Sequence, residues 1–263
     1  MSCRMRYGNP VRALQVDRLA VLVYRNRADM GEAAASRAAE CLRAAAAARG
    51  GGARAVFASA PSQVEFLHAL AAAPRVDWRR ITAFHLDEYL GVSSHAPQAF
   101  GQFLRKHLFD HVRPSNTWFL DGTASDVSAE MERYAHLLRK GQLDLACVGI
   151  GENGHLAFNE PGNTDFDDAA LLRVVTLDER SRLQQVHDAC FAALEQVPAQ
   201  AITLTVPAIT AAGAVVCVVP GPAKREALRR MVRGPVGPEC PASVLRRHPD
   251  AVLFADLEGA ALL

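Results

Sequence analysis

The stretch LDLACVGIGENGHLAFNEPG, residues 143–162, decides the fold. Its first eight residues form an almost unbroken apolar run, as expected for a strand buried on both faces. The run passes directly into Gly149, Gly151 and Gly154, spaced G-x-G-x-x-G. A dinucleotide fingerprint of that spacing must open a helix at once, so that a pyrophosphate meets the helix N-terminus. Here HLAFNEPGNTDFDD follows, without helical period and interrupted by Pro161. The strand therefore belongs to a covered parallel sheet, while the loop after it is reserved for something other than a nucleotide.

Working outward, apolar or β-branched runs recur at 19–24, 53–59, 80–86, 117–120, 172–177, 201–206, 214–219 and 251–256. Helical patterns lie between them at 30–48, 98–110, 127–140, 182–194 and 222–233. For the first of these, Asp29 and Glu32 give a D-x-x-E start, and Gly50, Gly51 and Gly52 give the stop. Alternation of this kind predicts a doubly wound α/β fold, Rossmann-like, with a mostly parallel sheet and helices on both faces. No repeat or composition break divides the chain, so residues 1–263 read as a single domain. Ligands in such folds meet the carboxyl ends of the strands.

Composition narrows the partners. Half of the residues are hydrophobic, enough for a large core, and 29 basic against 28 acidic residues leave a formal charge of +1. That balance supplies no general field for nucleic acid or an anionic membrane, so any anion must be met locally. Six cysteines, Cys3, Cys41, Cys147, Cys190, Cys217 and Cys240, show no C-x-x-C spacing and read as thiols of a reducing compartment. No apolar run approaches the roughly 18 residues needed to span a bilayer, and the start carries no secretory pattern, so a cytoplasmic protein is expected.

Four strand ends carry chemistry. His155 follows Gly154, whose backbone can approach a ligand closely, and Glu160 lies five residues on, within reach to orient an imidazole. A satisfied core histidine is the plainer alternative. FHLDEYLG, 84–91, delivers Asp87 and Glu88, which point opposite ways on an extended chain, so one of them enters a site. FASAPSQVEFLHAL, 57–70, runs through Ser59, Ala60, Pro61 and Ser62 into a helix, a turn suited to phosphate or simply a serine cap. VVPGPAKREAL places Lys224 beside another helix start, as an anion partner or a solvated lysine. His155 and Glu160 have no second histidine or cysteine nearby, so no metal site is expected.

Together the stretches FHLDEYLG, GIGENGHLAFNEPG, VPGPAKREAL and CPASVLRRHPDAVLFAD resemble the glucosamine-6-phosphate deaminase family, which is related to the 6-phosphogluconolactonases. The resemblance runs from about residue 57 to 256, and GHLAFNEP is its sharpest part, because lactonase relatives generally keep Gly-His and replace the F-N-E portion. It implies conversion of glucosamine 6-phosphate and water to fructose 6-phosphate and ammonia, with no metal or organic cofactor. It implies Asp87 as the proton shuttle between C2 and C1, and His155 oriented by Glu160 in ring opening. Asn153 stands where many relatives carry a third catalytic carboxylate. Ser59, Ala60, Ser62 and Lys224 fall where the family grips phosphate, although its common Gly-Gly turn is here Ala60-Pro61. The family's phosphate-contacting arginine is expected near 187 or 188, where His187 and Asp188 stand, leaving Arg180 or Arg182 as substitutes.

Two other readings share the fold: a sugar-phosphate lactonase in which His155 activates water, and a non-catalytic phosphosugar sensor. The sensor would need a DNA-binding module, and the residues before 50 show no basic recognition helix. The expected partner is a small amino-sugar phosphate, with no nucleic acid or membrane; a homo-oligomer is compatible with the sequence. NEPGNTDFDDAAL, polar and glycine-containing, is expected to be a mobile lid.

Overall fold

A computed structural model of the chain describes residues 7–48 and 52–263. The terminator role of Gly50 and Gly51, and Cys3, lie outside the described residues. The chain order is β1 (Arg12–Val16), β2 (Leu19–Tyr24), α1 (Arg27–Ala48), β3 (Ala53–Phe57), α2 (Val64–Ala71), β4 (Ile81–His85) and β5 (Asp87–Tyr89). It continues with α3 (Phe100–Leu104), α4 (Asp110–Val112), β6 (Asn116–Trp118), α5 (Val127–Arg139), β7 (Leu145–Val148) and β8 (Leu172–Thr176). The last elements are α6 (Glu179–His187), β9 (Gln200–Leu204), α7 (Val206–Thr210), β10 (Ala214–Val219), α8 (Arg225–Arg233) and β11 (Ala251–Asp256).

Eight strands form one sheet in the order β1-β2-β11-β10-β7-β3-β4-β6, parallel throughout except for β1, which pairs antiparallel with β2. The apolar runs are explained by burial on both faces. In β10, Val215, Cys217 and Val219 enter one core while Ala214, Val216 and Val218 enter the other. β7 divides likewise, Ala146 and Val148 against Leu145 and Cys147. α1 covers one face through the stripe Met30, Ala34, Ala38 and Leu42, and α5 covers the opposite face through Tyr134 and Leu138. No described helix is long and apolar enough to cross a membrane.

Several expectations are corrected. The runs 172–177 and 201–206 do not join the parallel sheet: β8 and β9 form a separate antiparallel sheet with β5, in the order β5-β9-β8. β8 is largely exposed, which explains why its alternation is only partly apolar. α1 starts earlier than Asp29, because Asn26 accepts the Asp29 N–H at 2.9 Å and acts as the cap. The helix expected at 98–110 runs without a gap over 100–112, through α3, a π-helical turn at Arg105–Phe109, and α4. The helix expected at 182–194 is α6, which ends at His187. Its buried residues are Ser181, Gln184 and Gln185, so its inner face is polar and gives no hydrophobic period to read.

Candidate active site

Three adjacent parallel strands, β10, β7 and β3, deliver the Lys224 turn, the histidine loop and the Ser59 turn to one edge of the sheet. β4, next to β3, adds Leu86 and Asp87. Their loops border a cleft lined by Ser59, Ala60, Ser62, Asp87, His155 and Lys224 among others. Glu160 and Asn153 lie behind the imidazole, while Arg180 is exposed and does not line the cleft. Arg182 does not line the cleft either; its Nη2 donates to the carbonyls of Leu194 (2.7 Å) and Val197 (3.0 Å), on the chain after α6.

Asp87 is 7% exposed. Burial, with a smaller contribution from the neighbouring Glu88, pushes its pKa up to about 8. Glu88 points the other way, as strand geometry requires, and accepts the N–H groups of Tyr89, Phe100 and Gly101 at 3.0–3.1 Å. It thereby caps α3. Burial raises its pKa to about 7 against the pull of those three donors.

His155 sits on a tight backbone. Gly154 has φ +90, and the Gly151 N–H donates to the His155 carbonyl at 3.0 Å. A Cβ at 151 would occupy the space of the imidazole, so glycine is required there by close approach. His155 Nδ1 is 2.9 Å from Ser181 Oγ and 3.4 Å from Glu160 Oε2. With Nδ1 engaged, Nε2 is the nitrogen left for a ligand. Burial raises the Glu160 pKa, but His155, Ser181 and Asn153 outweigh it and hold the carboxyl below its ordinary value.

Asn153 braces this network. Its Nδ2 donates to Glu160 Oε2 (2.8 Å) and Asp178 Oδ2 (3.0 Å), and its Oδ1 accepts the His155 N–H at 3.0 Å. Asp178, the N-cap of α6, therefore brings a second carboxylate to the group. Arg230 donates to the Asn153 carbonyl at 3.1 Å and ties the loop to α8. Ser181 and Asp178 escaped sequence reasoning because the start of α6 was placed too late; the D-x-x-S cap at 178–181 was the available signal.

At the other end of the cleft Lys224 is 6% exposed, and among the described residues it has no ion-pair partner. Burial lowers its pKa, while Asp188 and Glu152 act in the opposite direction. The hydroxyl of Ser59 is buried without a hydrogen-bond partner, as is the Gln63 carbonyl oxygen. A buried ammonium and an unpaired hydroxyl in one cleft suit an anionic ligand. In the stretch expected to be a mobile lid, the Gly162 N–H donates to the Pro238 carbonyl at 3.1 Å, and Arg173 grips Asp168. Among the described residues no group of three or more histidines, cysteines and carboxylates gathers to hold a metal ion.

Residues 25–254 match the family model described as glucosamine-6-phosphate isomerases/6-phosphogluconolactonase. A glucosamine-6-phosphate deaminase of Exiguobacterium sibiricum is 41% identical over 189 residues, covering 72% of this chain and 73% of that protein. One of Lactobacillus delbrueckii subsp. bulgaricus is 34% identical over 243 residues, covering 92% and 99%. Among solved structures, a monomeric glucosamine-6-phosphate deaminase superposes with a TM-score of 0.84 at 29% identity, covering 92% of this chain and 99% of that one. The 6-phosphogluconolactonase of Trypanosoma brucei superposes at 0.77 with 16% identity over 96% and 100%, a likeness of fold alone.

Proposed function

The chain belongs to the glucosamine-6-phosphate isomerase/6-phosphogluconolactonase family, and from that premise we propose that it is a glucosamine-6-phosphate deaminase, releasing ammonia and fructose 6-phosphate. The observation that carries the proposal is the pairing, in one cleft, of a buried carboxylate of raised pKa with an imidazole whose Nδ1 is already held.

The ring of the sugar opens first. His155 Nε2 takes the proton of the anomeric hydroxyl and delivers it to O5 as the C1–O5 bond breaks, leaving an aldehyde at C1. Glu160 and Ser181 keep the imidazole turned toward the cleft. The aldehyde acidifies the C2 proton, which the Asp87 carboxylate removes to give a C1–C2 enolamine. Asp87 returns the proton to C1, the nitrogen becomes an imine at C2, and water adds there as ammonia leaves. With a pKa of about 8, Asp87 once ionised is a stronger base than a solvated carboxylate, so proton abstraction gains as the pH approaches 8.

Lys224, Ser59 and the Ala60–Ser62 turn hold the phosphate and so pin the open chain against both groups. A phosphorylated substrate, which does not cross membranes unaided, supports a cytoplasmic location. Purified protein is expected to release one ammonia for each fructose 6-phosphate formed from glucosamine 6-phosphate. Absence of ammonia, with 6-phosphogluconolactone hydrolysed instead, would assign the cleft to the lactonase branch.

A further inference from the structure

α6 flanks the cleft with its polar face, and its two glutamines behave differently. Gln184 is spoken for: its carbonyl oxygen accepts the Glu152 N–H at 2.9 Å and its amide faces Asp188 at 3.3 Å. Gln185 also lines the cleft and is 7% exposed, yet its side chain has no hydrogen-bond partner among the described residues. Its carboxamide opens onto the cleft, where a ligand can complete it.

Its place along the helix indicates what it meets. Ser181, one turn earlier on the same face, touches the His155 imidazole. Asp188, beyond the last turn, is the carboxylate acting most strongly on Lys224. From 181 to 188 the helix rises about 10 Å, comparable to an extended six-carbon chain carrying a phosphate. Gln185 thus lies between the end that handles C1 and the end that holds phosphate. Building on the proposed deaminase reading, we infer that the Gln185 carboxamide recognises the hydroxyls at C3 and C4 of the sugar and sets the epimer preference of the enzyme. A carboxamide both donates and accepts, which matches a pair of neighbouring hydroxyls.

The test compares glucosamine 6-phosphate with its C4 epimer, galactosamine 6-phosphate. Binding of their reduced, non-reacting alditols is measured by calorimetry, ammonia release by assay, and inorganic phosphate serves as a competitive inhibitor. Gln185→Met keeps the length of the side chain and removes both polar atoms; Gln185→Ala is the second variant should the first fail to fold. The expected result is that the preference between epimers shrinks by about 10-fold while inhibition by phosphate is unchanged. If both epimers weaken equally, or if phosphate inhibition weakens in step, Gln185 does not read the C3 and C4 hydroxyls and the inference fails. Wild-type protein that binds the alditols without releasing ammonia from either sugar overturns the deaminase reading, whereas the epimer ratio in binding still decides the role of Gln185.

Discussion

Asp87 and Lys224 are both titratable and buried, and each leaves a signature that can be measured. Folded Asp87 keeps its proton up to about pH 8, whereas the unfolded chain releases it near the ordinary aspartate value. The stability gained by keeping the acid neutral is therefore complete below that ordinary value and is lost as the pH climbs to about 8. Asp87→Asn, which cannot ionise, is expected to abolish ammonia release. Its melting temperature relative to wild type should rise steadily from pH 5 to pH 8; a constant difference would mean that Asp87 is not protonated in the fold. Glu88 raises the Asp87 pKa through its charge, so Glu88→Gln should move the acidic limb of kcat/KM to lower pH without touching substrate. Lys224→Ala removes a charge-assisted contact worth about 1.5–3 kcal/mol, or about 10- to 150-fold in binding of the phosphorylated sugar. Plain glucosamine should be unaffected, and an equal loss on both sugars would make Lys224 a structural residue.

The loop after β7 and the helix α6 succeed or fail as units. Gly151→Ala would place a methyl group where the imidazole stands, so His155 must turn off Ser181 and Glu160. Activity is expected to fall at least about 100-fold, while overpacking costs about 1–3 kcal/mol of stability. Near-normal ammonia release with an intact melting temperature would show that the imidazole needs no such clearance. These two elements also mark what a single sequence discloses. The strand behind Gly149 announced itself because both faces are buried, and so did β3, β4, β10 and β11. β1 was invisible because RALQV is half-buried and close to polar, and β5 because it is three residues long. In the site, Asp87, His155 and Lys224 were legible from strand ends and turns. Ser181, Gln184 and Gln185 were not, since a helix that turns polar residues inward suppresses the periodicity by which helices are located.

At the scale of the molecule, the cleft stands where two sheets meet. The Ser59 turn and Lys224 follow β3 and β10 of the large parallel sheet, while Asp87 opens β5 of the small antiparallel one. Leu86 joins the two: its N–H donates to the Phe57 carbonyl on one side at 3.3 Å, and its carbonyl accepts the Leu204 N–H on the other at 2.9 Å. The separation between anion and base is consequently fixed by backbone hydrogen bonds rather than by side-chain reach. Such a frame acts as a ruler, measuring the number of carbons between phosphate and amine. A 2-amino-2-deoxypentose 5-phosphate, one carbon shorter, should occupy the cleft and compete with glucosamine 6-phosphate. Anchored at its phosphate, it would hold C2 short of the carboxylate and leave with its nitrogen still attached.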